Sequence, residues 1–171
     1  ELQKNFPKLR LIAKKGYYPY ISNGIDMVMD ELSFIANFFG EKRYKKLFLD
    51  AGCGIGTIVC AAQGFGMISE GIELSDLYID LAKNIFGFDG STVTRANILS
   101  YSNYKAFDVI YYYCPMHNQK LQRKFERRVE NNMKVGAILI ANHKQDKKIE
   151  RDKRFQKIST EFPIWKKVKN K

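Results

Sequence analysis

The chain has 171 residues, of which 45% are hydrophobic and 13% aromatic. This length and composition exclude a disordered protein and favour one globular domain with a sizeable core. No apolar run reaches the roughly 18–20 residues of a membrane span, and the net charge of +11 lies in the last third of the chain: residues 117–171 carry 17 basic and 6 acidic residues, whereas residues 1–116 carry 12 of each.

The basic excess supports two interpretations. It describes solvated helix faces, or it describes a surface for an acidic partner such as RNA, DNA or an anionic membrane. Both stay open at this point, with a slight preference for solvated faces.

The cysteines favour a reducing compartment such as the cytoplasm. Cys53, Cys60 and Cys114 are odd in number and form no CxxC pair, which also argues against a metal cage. No signal peptide is visible. The chain begins at Glu1 rather than at methionine, which leaves room for a removed N-terminal targeting or membrane segment.

In chain order, the first predicted element is a helix from Gly24 to Phe39, because apolar residues recur there at three- and four-residue spacing. Asn23 is placed to cap its start and Gly40 to end it. The segment "GYYPY" precedes this helix, and its Pro19 biases Tyr18 away from helical backbone.

Short apolar strands then alternate with amphipathic helices. The predicted strands are 47–50, 70–73, 92–95, 107–114 and 136–141, with "RFQKIS" and "IWKKV" as further candidates. The predicted helices are 57–63, 75–86, with Ser75 as its cap, and 116–133. Such alternation predicts a parallel α/β sheet with helices on both faces.

Three glycines follow the first strand on alternate positions, in "LFLDAGCGIG" at 47–56. Ligands of parallel sheets bind beyond the carboxyl ends of the strands, and glycine lets the backbone pass close under a ligand. The next acid at a strand end is Glu73, 23 residues after Asp50, where a carboxylate can accept both hydroxyls of a ribose.

More than one class of nucleotide cofactor binds to a loop of this kind, and nicotinamide cofactors are the first to consider. Nicotinamide sites require GxGxxG, but Thr57 stands at the position of the third glycine, so this class is disfavoured. The alternative is a Rossmann-like protein that binds another nucleotide or none, in which the glycines serve only turn geometry.

The glycine segment resembles a known family. "LDAGCGIG" is similar to the first motif of class I S-adenosylmethionine-dependent methyltransferases, "GIELS" to their ribose-binding strand end, and "ANILS" to the motif where a polar side chain and the next backbone amide meet the adenine. The resemblance covers about 46–142. It implies a Rossmann-like, mostly parallel seven-stranded sheet with its last strand antiparallel, in a three-layer αβα sandwich.

The resemblance also implies one methyltransferase domain over 1–171 and S-adenosylmethionine as its cofactor. The domain would comprise an N-terminal segment and helix (1–45), a cofactor-binding core (46–142) and closing elements (143–171). The residues expected to bind the cofactor are Asp50, Gly52, Cys53, Gly54, Gly56, Glu73, Leu74, Asn97, Ile98 and Tyr113. Asn97 stands where aspartate is commoner in the family.

The acceptor pocket of this family lies beyond the fourth strand, here "VIYYYCPMHN". Enzymes that methylate amino groups of nucleic acids have Asp or Asn there, then two prolines and an aromatic residue. This chain places Tyr113, Cys114, Pro115 and Met116 at those positions, which argues against a base amino group as acceptor. Aromatic side chains attract cationic charge by about 0.5–2 kcal/mol, so Tyr113 suits an amine acceptor.

A second resemblance concerns "YYPYISNGIDMVMDEL". It is similar to the segment before the first strand in a family of prokaryotic and mitochondrial protein-lysine methyltransferases, whose mitochondrial members modify the adenine nucleotide translocator and an ATP synthase subunit. Tyr18 and Pro19 match that family, Tyr20 stands at its hydroxyl position, and Asp-Ala-Gly replaces its Asp-Leu-Gly. The resemblance implies a protein lysine as acceptor, with Tyr113, Tyr18 and Tyr20 as catalytic candidates.

Other acceptors and another class of protein stay open. RNA is favoured by the basic last third, a small molecule is a further alternative, and a catalytically silent cofactor-binding subunit is an interpretation of a different class. His117 and His143 are interpreted as surface or capping residues, although His117 could assist a proton transfer. The oligomeric state does not follow from the sequence.

Overall fold

A computed structural model describes residues 25–170. Its seven-stranded sheet has the order β3-β2-β1-β4-β5-β7-β6. The strands are β1 (Leu47–Ala51), β2 (Ile68–Glu73), β3 (Val93–Arg95), β4 (Val109–Tyr113), β5 (Ile138–Asn142), β6 (Phe155–Lys157) and β7 (Ile164–Lys167). Strands β1 to β5 pair in parallel, and β7 is antiparallel to both β5 and β6. The predicted mostly parallel sheet is therefore confirmed, and the two C-terminal candidate segments supply β6 and β7.

The helices form layers on both faces of this sheet. They are α1 (Ile25–Phe39), α2 (Thr57–Gly64), α3 (Asp76–Phe86) and α4 (Gln119–Asn132), with short 3-10 helices at Gly40–Lys45, Asn103–Ala106 and Lys147–Arg151. One core packs α1 and α2 against Phe48 and Tyr111, and another packs α4 against Tyr112. The α/β fold class with its αβα layers is confirmed. None of the described helices has the length and apolar character to cross a membrane.

One predicted helix start was wrong, and another was right in position but not in its capping bond. Helix α4 begins at Gln119 rather than at 116, because the Asn118 side chain accepts hydrogen bonds from the N–H groups of Lys120 (2.9 Å) and Leu121 (3.1 Å). Ser75 occupies the N-cap position of α3, but its side chain makes no capping bond. The predicted start of α1 and its cap at Asn23 lie outside the described residues.

A buried lysine ends α4. Glycine commonly ends a helix, but here the Lys167 Nζ from β7 donates to the carbonyl oxygens of Glu130 (3.0 Å) and Met133 (2.7 Å). Terminal carbonyls of a helix need such donors. The antiparallel strand β7 thereby fixes the position of α4 beside β4 and β5.

Candidate cofactor and acceptor site

The glycine loop between β1 and α2 needs its glycines for backbone geometry. Gly52, Gly54 and Gly56 have φ of +87°, +56° and +83°, in the left-handed region that L side chains rarely adopt. A Cβ on Gly52 would also lie 2.8 Å from the Cβ of Pro115. The loop after β1 and the residues after β4 are therefore in direct contact.

Glu73, at the end of β2, holds the glycine loop in place. Its Oε2 accepts a hydrogen bond from the Gly54 N–H (3.0 Å), and its Oε1 accepts from the N–H groups of Leu74 and Ser75 (both 2.8 Å). A carboxylate offers about four acceptor positions, so Glu73 retains acceptor capacity for a ligand hydroxyl. The structure thus brings together the predicted residues of the first and second motifs.

Asp50 lies buried next to Glu73. Burial, and then the negative charge of Glu73, raise the pKa of the Asp50 carboxyl to about 8. Within residues 25–170, neither acid forms an ion pair. Two neighbouring acids without a cation favour a ligand that carries positive charge, because such a ligand stabilises their ionised forms.

The Cys53 side chain faces the sheet rather than the ligand side of the loop. It is buried, and a Cβ on Gly71 of β2 would approach its Sγ to 2.6 Å. Burial raises the pKa of the Cys53 thiol well above its ordinary value. Only the backbone of Cys53 is therefore a candidate for ligand contact.

The third motif adjoins the end of β2. The Ala96 N–H donates to the Glu73 carbonyl oxygen (2.9 Å), which places Asn97 just beyond this pair. Asn97 is exposed, and its Oδ1 accepts from the Leu99 N–H (2.9 Å), so the side chain shapes its own turn. The Ile98 side chain is buried in the core.

Tyr113 and His143 meet at the carboxyl ends of β4 and β5. The phenol oxygen of Tyr113 and Nε2 of His143 are 2.8 Å apart, and the two ring centres are 4.7 Å apart. Burial raises the pKa of the Tyr113 phenol above its ordinary value, so it keeps its proton at neutral pH. The surface interpretation of His143 was incomplete, because the residue is exposed but its ring contacts Tyr113.

The backbone is strained beside this pair. Cys114 has φ of +36° and His143 has φ of +53°, and each directly follows a strand. These are the two non-glycine residues with positive φ in the described part of the chain. Such strain persists where surrounding contacts fix the backbone, and it clusters at functional sites.

A buried polar cluster that the sequence analysis missed lies behind Tyr113. Glu31 of α1 is fully buried, and its Oε2 accepts from the Asn142 Nδ2 (2.9 Å), which also donates to the Tyr111 hydroxyl at 3.4 Å. Burial raises the pKa of the Glu31 carboxyl to about 7, and its Oε1 has no hydrogen-bond partner among the described residues. The missed signal was an acid three residues after Val28, on the apolar face of the helix.

A second buried network fixes the segments that follow β4 and β5. The Glu126 carboxylate of α4 accepts hydrogen bonds from the N–H groups of Gln145 (2.8 Å) and Asp146 (2.7 Å) and from the side chain of Gln122 (2.9 Å). Gln122 in turn accepts from the Met116 N–H (3.0 Å). Helix α4 thereby holds both edges of the candidate acceptor site.

Two predicted catalytic residues, Tyr18 and Tyr20, lie outside the described residues, and His117 is exposed. No group of three or more metal-ligating side chains is found within residues 25–170. The described part of the site therefore consists of the glycine loop with Asp50 and Glu73, the turn at Asn97 after β3, and the Tyr113–His143 pair.

Comparison with known proteins places this geometry in context. A family model for a methyltransferase domain matches residues 43–170. A search of the curated proteins found no match.

Three solved structures with the same fold serve as examples. An RNA methyltransferase from Salinibacter ruber is 17% identical (72% of this chain, 76% of that chain, TM-score 0.54). DesVI from Streptomyces venezuelae is 15% identical (67% and 50%, TM-score 0.52), and an S-adenosylmethionine-dependent methyltransferase from Methanosarcina mazei is 23% identical (63% and 55%, TM-score 0.53). The alignment spans about half the length of DesVI and of a methyltransferase from Clostridium acetobutylicum.

Proposed function

Because the chain belongs to the family of methyltransferase domains, we propose that it is an S-adenosylmethionine-dependent enzyme that methylates an amine, with a protein lysine as the favoured acceptor. One observation carries the proposal. The same edge of the sheet holds a glycine loop flanked by two acids and, in contact with it through Gly52 and Pro115, the Tyr113–His143 pair.

The residues at the glycine loop fit this cofactor. S-adenosylmethionine, when bound, supplies a methyl group from a positively charged sulfonium and also carries an ammonium group. Asp50 and Glu73 would balance this charge, and Glu73 retains acceptor capacity for one ribose hydroxyl. The exposed Asn97 and the backbone at Ile98 are the candidates for the adenine.

The acceptor side suits a nucleophile that becomes charged during the reaction. A lysine amine, with a pKa near 10.4, must lose a proton before its lone pair can attack. We assign this proton to water through the Tyr113 hydroxyl and the exposed His143. When S-adenosylmethionine is bound, its methyl group would pass to this nitrogen, and its sulfur would keep the electron pair of the broken bond. The Tyr113 ring then stabilises the positive charge that the nitrogen gains.

The test is transfer of label from S-adenosylmethionine to a cell extract. Labelled product that protease destroys and nuclease leaves intact would support a protein acceptor. Label that nuclease removes would identify RNA. A labelled product other than S-adenosylmethionine that passes a small-pore filter would identify a small molecule. Binding of S-adenosylhomocysteine without any transfer would indicate a silent cofactor-binding subunit.

A further inference from the structure

Seven exposed basic side chains gather on α4 and on the 3-10 helix Lys147–Arg151. We call this surface the basic face; its members are Lys120, Arg123, Lys124, Arg127, Lys147, Lys148 and Arg151. The four on α4 are spaced i, i+3, i+4 and i+7, so they form one stripe. An ion pair of 3.7 Å between Arg127 and Asp146 joins this stripe to the 3-10 helix.

The part of the basic face on α4 has one sign because α4 turns its acids inward. Glu126 and Glu130 are both buried, and both pair with the buried Lys144. The exposed side of α4 therefore carries basic residues without acidic ones, and Glu150 is the exposed acid of the neighbouring 3-10 helix. Lys144 itself is buried, so it cannot contact a partner as the exposed Lys147, Lys148 and Arg151 can.

We propose that the basic face binds the phosphodiester backbone of duplex or folded nucleic acid. The α4 stripe extends over about 10 Å, at a rise of about 1.5 Å per residue, and so presents a row of charges to a row of phosphates. This inference does not depend on the acceptor in the proposed function, because the face lies outside the Tyr113 pair and the glycine loop.

The composition of the basic face argues against other partners. Binding of single strands relies on bases stacked on exposed aromatic rings, and the one aromatic residue of these two helices, Phe125, is buried. A membrane surface or a protein interface needs apolar anchors, and Leu121 is the one large apolar side chain that these helices expose. Charge is therefore the main means of recognition, which predicts little sequence preference.

Salt dependence gives the first measurement. If four to six phosphates are neutralised, the slope of log K against log salt should be about −3.5 to −5.5 on duplex DNA. The full chain is titrated into labelled 20-base-pair duplex RNA and duplex DNA between 50 and 200 mM salt. Binding of either duplex with such a slope supports the proposal, and a preference between them identifies the natural source of phosphate. No binding of either at 100 mM salt would overturn it.

A matched pair of charge reversals gives the second measurement. The variant Arg123→Glu/Lys124→Glu changes two exposed residues of the face, and Lys42→Glu/Lys45→Glu changes two exposed residues beside α1 by the same charge. Circular dichroism and the thermal midpoint confirm that both variants fold. We expect a loss of about tenfold or more in affinity for the first and less than about threefold for the second. Equal losses would show an effect of net charge alone and refute the proposal.

Two controls separate this inference from its alternatives. Tyr113→Ala should bind the duplexes as the wild type does, because Tyr113 lies outside the basic face. Anionic vesicles and polyglutamate serve as competing polyanions. Competition by either at the same charge concentration as the duplexes would refute a nucleic-acid surface.

Discussion

Replacement of Glu73 tests whether this carboxylate both shapes the glycine loop and binds the cofactor. Its two oxygens accept three backbone N–H groups, including that of Gly54. In Glu73→Gln one oxygen becomes a donor, so at least one of these N–H groups faces an NH₂ group. A partly buried donor left without its acceptor should lower the free energy of unfolding by about 1 kcal/mol.

The loss in cofactor binding should be larger than the loss in stability. A charge-assisted contact from the remaining acceptor position of Glu73 to a ribose hydroxyl, together with the loop that Glu73 fixes, corresponds to about 2–4 kcal/mol. The dissociation constant of S-adenosylhomocysteine should therefore rise about 30- to 1000-fold. Calorimetric titration at a temperature where both proteins are folded measures this change, and urea denaturation measures the stability of each protein separately.

Asp108→Asn is the matched control for Glu73→Gln. Asp108 also accepts a backbone N–H, that of Leu47 at 3.0 Å, but at the amino end of β1. This variant should lose stability while its affinity for S-adenosylhomocysteine stays within about threefold. If Glu73→Gln leaves the dissociation constant unchanged, the ribose is held elsewhere. If both variants lose the same affinity, the effect is a general loosening of the fold.

Three further predictions concern the buried acid, the packing under the loop and the acceptor pocket. Burial raises the pKa of Glu31 from 4.5 to about 7, so its contribution to stability is fully present below pH 4.5 and is lost as pH rises through 7. Glu31→Gln should therefore match the wild type near pH 4.5 and exceed it by up to about 3 kcal/mol at pH 8.5 in urea denaturation; a pH-independent difference would contradict this. Gly71→Ala should lower the free energy of unfolding by about 1–3 kcal/mol and weaken cofactor binding, because its Cβ would lie 2.6 Å from the Sγ of Cys53 in the glycine loop. As a control, a Cβ on Gly90 would meet no atom within 4 Å, so Gly90→Ala should change neither stability nor binding. Tyr113→Ala should lower turnover tenfold or more with cofactor affinity within about threefold, while Tyr113→Phe and His143→Ala measure the shared hydrogen bond; equal losses in turnover and binding would show that Tyr113 only packs the sheet.

Local patterns were sufficient to predict most of the fold. Spacing of apolar residues predicted the helices, and the glycines at 52, 54 and 56 predicted a loop after the first strand, whose left-handed backbone the structure then showed. Alternation of side chains along β4 placed Tyr111 and Tyr113 on one face and Tyr112 on the other, as the two cores confirm. These features depend on residues close together in the chain, so their signals are visible without a structure.

The contacts around the acceptor site could not be predicted in the same way. Glu31 and Asn142 are 111 residues apart, and Tyr113 and His143 are 30 apart. Their meeting depends on the order of strands and on which helix covers which face. No local pattern encodes that arrangement, which is why His143 was interpreted as a surface residue. An acid on an apolar helix face, as at Glu31, was the one local sign of these contacts.

The distribution of charge links the proposed cofactor, acceptor and partner. Two acids without an ion pair in the described part of the chain flank the glycine loop, where a cationic cofactor would lower their mutual repulsion. The basic face covers α4, which starts six residues after β4 ends. Tyr113 and His143 share a hydrogen bond at the carboxyl ends of β4 and β5. A protonated amine that enters there loses one proton and gains one methyl group, so it carries the same positive charge before and after the reaction. The acids at the glycine loop and the basic face therefore act on an unchanged net charge. A polyanion on the basic face would in turn attract a cationic acceptor toward Tyr113, and the rate of methyl transfer should then rise when duplex is added at low salt.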